Sequence, residues 1–368
     1  MTQPELTVII PTLNEAKNIR TCVNELVCVL IGDVKTFEIL IVDDNSTDGT
    51  LDVVRDLRAI YPQVRMMVRL WDHGLSRSVV DGFKYAAGKY FVVIDADGQH
   101  PIDKIPVMYH KLLMGNDMVI GSRYMDGGEI KNWGLGRRIV SLGAMALSRI
   151  FFPNLTDPAS GFFAVKRDVV QSPDIRPTGY KILIEILGKG KYEKVSEIPF
   201  SFGLREYGSS KLKFKTVYEY AEELVNLFSY SLTHQNAPAH KELIRIGKFM
   251  VVGVSGIFVN MVLLALLYQH FGYSLLISSA VAIEASVITN FILNDNWTFK
   301  EIEGVSGPLK FLMFNIVSFG GMLINTLVLY VLTTWGIYYL FANLAGILLA
   351  FGWNFFVNRN FTWGREYG

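Results

Sequence analysis

The chain has 368 residues, room for two or three domains. Apolar residues make up 51% of it and charged residues only 19%, which excludes a disordered, collagen-like or coiled-coil chain and argues against an ordinary soluble protein. A net charge of +1 gives no electrostatic footprint for nucleic acid, so none is expected as a partner, and two cysteines exclude a disulfide scaffold.

The first 200 residues alternate short β-rich apolar runs with helical patterns. Strands are predicted at 6–10, 37–42, 64–68, 90–94 and 118–121, with helices near 15–30, 47–60, 75–87 and 102–115. Cys22 and Cys28 fall six apart in the first helix and read as reduced core residues. Such alternation predicts a parallel sheet with helices on both faces. Ligands of these folds bind outside the carboxyl ends of the strands. Polar clusters follow the runs there: Pro11-Thr-Leu-Asn-Glu15, Asp43-Asp44-Asn-Ser-Thr-Asp48-Gly49 and Asp95-Ala-Asp97-Gly-Gln99-His-Pro101. Neither a Gly-x-Gly-x-x-Gly turn nor a phosphate-loop lysine is present. A nucleoside diphosphate repels bare carboxylates, so acids at strand tips point to a divalent cation, Mg²⁺ or Mn²⁺. Asp95 and Asp97 are the residues spaced to present hard oxygens to it.

Cations come next in the chain. Arg123 closes the fifth strand, Arg137, Arg138 and Ser141 open a helical run at 137–150, and Lys211, Lys213 and Lys215 follow later. From Lys215 to His234 a stripe of Val217, Ala221, Leu224, Phe228 and Ser231/Leu232 predicts an amphipathic helix, suited either to the membrane interface or to packing on the preceding domain.

Beyond it the charges vanish. Only Glu284 is charged between Phe249 and Leu293, and nothing is between Phe311 and Asn358. Each stretch holds two helices of bilayer length, so four spans are expected near 247–269, 274–294, 309–333 and 338–358. Lysine and arginine gather on one side, which places the N-terminal domain and both termini in the cytoplasm of an integral protein of the cytoplasmic membrane. The start of the chain has no signal-peptide pattern. Glu284 is either a functional intramembrane charge or a structural hydrogen-bonding group. Asn290-Phe-Ile-Leu-Asn-Asp-Asn-Trp-Thr-Phe299 recurs as Asn354-Phe-Phe-Val-Asn-Arg-Asn-Phe-Thr-Trp363, so the region is a repeated hairpin.

These motifs carry two resemblances. The repeated hairpin resembles the GtrA-like family of four-helix membrane domains. The strand-tip motifs resemble glycosyltransferase family 2, of GT-A fold. Gly121-Ser-Arg123-Tyr, Asp157-Pro-x-Ser160-Gly161-Phe162 and Arg205-x-Tyr207-Gly208-x-Ser210-Lys211-Leu212 are similar to its dolichyl-phosphate mannosyltransferases. The implied organisation is α/β followed by all-α: a GT-A (Rossmann-like) catalytic domain at 1–214, an amphipathic juxtamembrane segment at 215–245 and a four-span domain at 246–368.

The resemblance implies inverting transfer of mannose from GDP-mannose to dolichyl (polyprenyl) phosphate. In it Pro11, Leu13, Glu15, Val42 and Asp44 line the nucleoside pocket, and Asp95, Asp97 and Gln99 take the metal, with Ala96 against the sugar nucleotide. Arg123, Arg205 and Lys211 contact phosphates, and Asp97, Arg123 and Lys211 form the catalytic set. Arg123, Arg137 and Ser141 are expected at the acceptor phosphate. Leu13 stands where relatives often carry an aromatic residue, and Ser76 where many have glycine. A phosphate acceptor is already ionised near neutral pH and needs no general base. Two other readings stay open at this level: a UDP-glucose:polyprenyl-phosphate glucosyltransferase, and a lipid-linked-sugar translocator with a degenerate transferase domain.

Overall fold

The computed structural model describes residues 3–130, 141, 143, 145, 148–149, 151–171, 175, 181–203, 214–234, 239–301 and 307–364. Two compact units divide the chain, Met1–His240 and Lys241–Gly368.

The first unit is built on β1 (Leu6–Thr12), α1 (Ile19–Asp33), β2 (Phe37–Asp43), α2 (Thr50–Ile60), β3 (Val64–Val68), α3 (Leu75–Tyr85), β4 (Tyr90–Val93), α4 (Ile105–Leu113) and β5 (Met118–Ser122). It continues through β6 (Glu129–Ile130), β7 (Phe163–Lys166), α5 (Ile182–Lys189), β8 (Val195–Pro199), β9 (Ser201–Phe202) and α6 (Phe214–Thr233). The main sheet has the order β3-β2-β1-β4-β7-β5-β8. β1 and β2 are buried along their whole length, because helices cover both faces of a parallel sheet. α1 shows the matching pattern: Ile19, Cys22, Val23, Leu26, Val27 and Leu30 form one buried stripe.

Three expectations need correction. The sheet is mixed, because β7 runs antiparallel between β4 and β5. Its four residues, Phe-Ala-Val-Lys, are too few to show a period. Of the two cysteines only Cys22 is in the core, where burial pushes its thiol up to about 12; Cys28 is exposed, since six residues along a helix turn a side chain well away from the sheet. The amphipathic helix is α6, and its buried face is Tyr220, Glu223, Leu224, Leu227 and Ser231, while Phe228 and Leu232 are exposed. The side chains of Val217 and Ala221 lie outside the described residues. α6 packs on α5 closely at Gly188: a Cβ there would lie 2.1 Å from a Leu227 methyl group, so that side chain would have to shift.

The second unit contains α7 (His240–Ala265), α8 (Leu275–Leu293), α9 (Gly307–Thr334) and α10 (Tyr339–Val357). α8 and α10 run into equivalent π-helical turns, Asn294–Thr298 and Asn358–Thr362, so the sequence repeat is a structural one. The repeats meet where Phe299 stacks on Trp363 at 4.4 Å between ring centroids, in a cluster with Phe249, Phe314 and Phe355. Arg359 is bound to Glu242, and Asp295 accepts from both Lys310 and the Trp363 indole. Helices His240–His270 and Pro308–Thr334 are long and apolar enough to cross a bilayer. Glu284 is exposed on α8.

Burial of Glu223, with Glu185 beside it, raises its carboxyl to about 8. The folded state therefore keeps a proton that the unfolded chain releases above its ordinary pKa of 4.5. That contribution to stability is complete below about 4.5 and is lost as pH rises through about 8. Glu223→Gln mimics the protonated form. Its melting temperature should gain on the parent's as pH goes from 5 to 8; a difference that stays constant would contradict the buried protonated carboxyl.

Candidate active site

β1, β2 and β3 follow one another outward, whereas β4 lies on the other side of β1. This reversal opens a crevice between the ends of β1 and β4, the place where ligands of open α/β sheets bind. The segments after those strands are 13–18 and Asp95–Gln99.

The acids after β2 brace this edge internally. Asp43 accepts from the Thr12 and Ser46 hydroxyls, each at 2.7 Å, and from the Ser46 N–H. Asp48 accepts from the Ala16 N–H at 3.0 Å and from Thr50. Burial works against its charge, but these hydrogen bonds outweigh it and hold the carboxyl below its usual range. Asn14, at φ +61°, exchanges hydrogen bonds with the Ser46 and Thr47 region, tying the first loop to the second. Asp44 bonds Arg69 and the Ser78 hydroxyl through Oδ1 and the Gly74 N–H through Oδ2. Arg69, which also binds Asp81 at 2.9 Å, is buried after β3. Sequence reasoning passed over it, since its acidic partners Asp44 and Asp81 lie 25 and 12 residues away in the chain. The acids after β2 thus serve as braces of the loop; the pair read from sequence for the cation, Asp95 and Asp97, follows β4.

At the end of β4, Asp97 is buried and Asp95 partly open. Asp97 accepts from the Gln99 N–H at 3.2 Å, and the Gln99 amide donates to the Gly203 carbonyl at 3.0 Å, leaving its carbonyl oxygen as the donor atom a cation would use. Two carboxylates and an amide oxygen are hard ligands and fit Mg²⁺ or Mn²⁺. Among the described residues no three His, Cys, Asp or Glu side chains cluster closely enough to hold a metal alone. A cation held there would take its remaining ligands from water or a bound substrate. His100 supports the loop: its Nδ1 accepts from the Asp95 N–H at 3.0 Å, its ring stacks on Phe162, and burial lowers its pKa and keeps it neutral.

Beyond β5, Arg123 forms a two-pronged bond to Asp157, Nε to Oδ2 at 2.7 Å and Nη2 to Oδ1 at 2.9 Å. Both side chains are buried. Burial disfavours the guanidinium charge, but Asp157 more than restores it. The chain then returns to Gly161, where a Cβ would lie 3.8 Å from the Asp95 carboxylate. Lys181, at the start of α5, is the second residue that sequence reasoning missed. Burial and the charge of Arg123 lower its pKa to about 8, with Asp157, Asp95 and Glu223 as its acidic neighbours. Ser141 meets the Tyr124 hydroxyl at 2.9 Å, beside Arg123.

Of the residues chosen from sequence, Pro11, Val42, Ala96, Asp97 and Gln99 are buried at the strand ends. Leu13 is exposed, and Glu15 is half-buried and accepts from Asn18. Arg137, Arg205 and Lys211 lie outside the described residues.

An α/β unit with acids at its switch point, followed by paired apolar helices, is a layout that a membrane glycosyltransferase would have. Residues 7–172 match the family described as Glycosyl transferase family 2, and residues 248–363 match the GtrA/DPMS transmembrane domain. A dolichol-phosphate mannosyltransferase of Pyrococcus furiosus is 42% identical over 98% of this chain and 99% of its own. Namesakes in Mycosarcoma maydis and Saccharomyces cerevisiae are 37% and 34% identical, over 62% and 63% of this chain and 80% and 90% of theirs. A solved glucosyl-3-phosphoglycerate synthase of Mycobacterium tuberculosis aligns with 62% of this chain and 78% of its own at 19% identity and a TM-score of 0.42. The chain belongs to the dolichol-phosphate mannosyltransferase family of glycosyltransferases and is a membrane protein.

Removing one partner of a buried ion pair strands the other. Asp157→Asn should cost about 3–5 kcal/mol of stability and most of the transfer activity. Arg123→Leu added to it should restore much of the stability but not the activity. A double variant with normal turnover would show that Arg123 serves only the fold.

Proposed function

We propose that this chain transfers mannose from GDP-mannose to dolichyl (polyprenyl) phosphate with inversion at C1, giving dolichyl β-D-mannosyl phosphate and GDP. The observation that carries this reading is the placement of Asp95 and Asp97 at the switch point, with the Arg123–Asp157 pair adjoining Asp95 through Gly161. The family membership supports it.

Pro11, Leu13, Glu15, Val42 and Asp44 border the nucleoside, with Asp44 turned inward onto Arg69 as a wall. Asp95, Asp97 and Gln99 are the residues that would hold Mg²⁺ or Mn²⁺, and Ala96 would lie beside the sugar. That cation, when bound, offsets the charge that develops on the departing diphosphate. Arg123, with Arg205 and Lys211, supplies positive charge to the phosphates, and Arg123, Arg137 and Ser141 receive the acceptor. Lys181 adds charge near Arg123 and Asp95 below its pKa of about 8.

A lipid phosphate oxygen forms the new bond to C1 as the C1–O bond to GDP breaks, and the electron pair leaves on GDP. The acceptor phosphate, with its second pKa near 6, is largely ionised at neutral pH, so no side chain must remove a proton. Side chains here position two anions and stabilise charge.

The second unit anchors the enzyme by four spans. Lys241, Arg245, Lys248, Lys300, Lys310 and Arg359 mark the cytoplasmic side of the cytoplasmic membrane. Lipid-phosphate acceptors then reach the site from a bilayer that concentrates them.

Incubation of the purified chain with polyprenyl phosphate and labelled GDP-mannose or UDP-glucose, followed by lipid extraction, tests the reading. Label should enter the lipid from GDP-mannose, in the β configuration. Asp97→Asn should retain less than about a tenth of the rate, equivalent to roughly 1.4 kcal/mol of barrier. Label entering from UDP-glucose instead, or an unimpaired Asp97→Asn, would overturn it.

A further inference from the structure

α6 is joined to the first unit by more than apolar packing. On its buried face Tyr220 and Glu223 lie three residues apart, beside Leu224 and Leu227. The Tyr220 hydroxyl donates to the Ser148 hydroxyl at 3.0 Å. Glu223, fully buried, accepts from the Lys181 N–H at 3.4 Å. One helix therefore holds two separate segments of the chain.

Both segments lead to Arg123. Ser141 and Ser148 have helical backbone and are seven residues apart, a spacing that sets them on one helix face. Ser141 meets the Tyr124 hydroxyl, and the Arg123 guanidinium lies 5.5 Å from the centre of the Tyr124 ring. In the other segment Lys181 is half-buried just ahead of α5, among the charges of Arg123, Asp157 and Asp95.

The charge balance of this cluster points to an anion. Arg123 and Lys181 are held near each other, and the arginine's charge works against the lysine's, with burial, to bring its pKa to about 8. Asp157 accepts from Arg123 with both carboxylate oxygens. Burial and Glu185 favour the protonated, neutral form of Glu223. A doubly charged phosphate placed against two cations offsets their repulsion. Of the two phosphate-bearing substrates, the nucleoside diphosphate has the divalent cation to offset its charge. The acceptor is largely a dianion at neutral pH, and side chains must meet that charge. Lys181 is grouped with Arg123 and, through Tyr124, with Ser141, the residues assigned above to the acceptor.

We propose that Lys181 is a further binding residue for the acceptor phosphate, and that Glu223 of α6 is the positioning residue that holds it there. This deepens the transfer reaction proposed above and rests on it, so binding is measured apart from turnover.

Farnesyl phosphate, a short polyprenyl phosphate, is titrated calorimetrically into the full chain in detergent, and GDP with Mn²⁺ is titrated separately. Lys181→Met should weaken farnesyl phosphate about tenfold or more and leave GDP within about twofold, which also shows that the variant is folded. Lys181→Arg, which keeps the charge, should recover most of the loss. Glu223→Ala should weaken farnesyl phosphate with the same selectivity, and Glu223→Gln, which keeps an accepting oxygen, should recover it. In turnover the Lys181→Met defect should appear in KM for the acceptor, not in KM for the donor. Farnesyl phosphate bound by the parent and lost in Lys181→Met, without any mannose transfer by the parent, would contradict the transfer reaction and uphold the phosphate site. Unchanged farnesyl phosphate binding in Lys181→Met, equal loss of both ligands, loss of GDP alone, or Glu223→Gln as defective as Glu223→Ala would overturn the proposal.

Discussion

The catalytic edge depends on one buried ion pair. Arg123 leaves the end of β5 and Asp157 begins the return toward β7, and their two-pronged contact joins segments more than thirty residues apart in the chain. Glu197 on β8 secures the same turn by accepting from the Thr156 N–H at 2.8 Å and the Asp157 N–H at 3.0 Å. That fixes Gly161 against Asp95 and His100, and Phe162 under the imidazole ring. A buried ion pair is weak evidence for stability, because desolvation consumes much of the attraction. Here it sets position: Arg123 is tied to the turn that carries Gly161, which adjoins Asp95.

The sheet was largely legible in the sequence because buried parallel strands are continuous apolar runs ending in polar residues. β1 to β5 begin where those runs begin. β7 was not legible, since four residues carry no period and its antiparallel direction comes from tertiary pairing. Motif reading singled out Asp95, Asp97 and Gln99, but it could not tell which of the other strand-tip acids brace a loop. Asp43, Asp44 and Asp48 look alike in sequence, yet Thr12, Ser46, Arg69, Gly74, Ser78 and Thr50 claim their oxygens. Arg69 and Lys181 escaped notice because a single cation acquires meaning only from its spatial neighbours.

The helical unit repeats the lesson. Its internal repeat was visible in sequence, and Glu284, as the only charge in its stretch, drew attention. In the structure Glu284 is exposed, whereas Asn290 and Asn354 of the repeat are turned onto Gly256 and Gly321 of neighbouring helices. Amides attract little notice in a hydropathy profile, but buried without partners they are costly enough to demand an explanation.

The proposed function requires Asp95, Asp97 and Gln99 to act as a cation site together with a nucleoside diphosphate. Electron paramagnetic resonance of Mn²⁺ titrated into the full chain, with and without GDP, reads this directly. Weak Mn²⁺ binding alone and much tighter binding with GDP are expected, with the GDP-dependent gain lost in Asp95→Asn. GDP binding that is indifferent to Mn²⁺, or tight Mn²⁺ binding unaffected by Asp95→Asn, would contradict it.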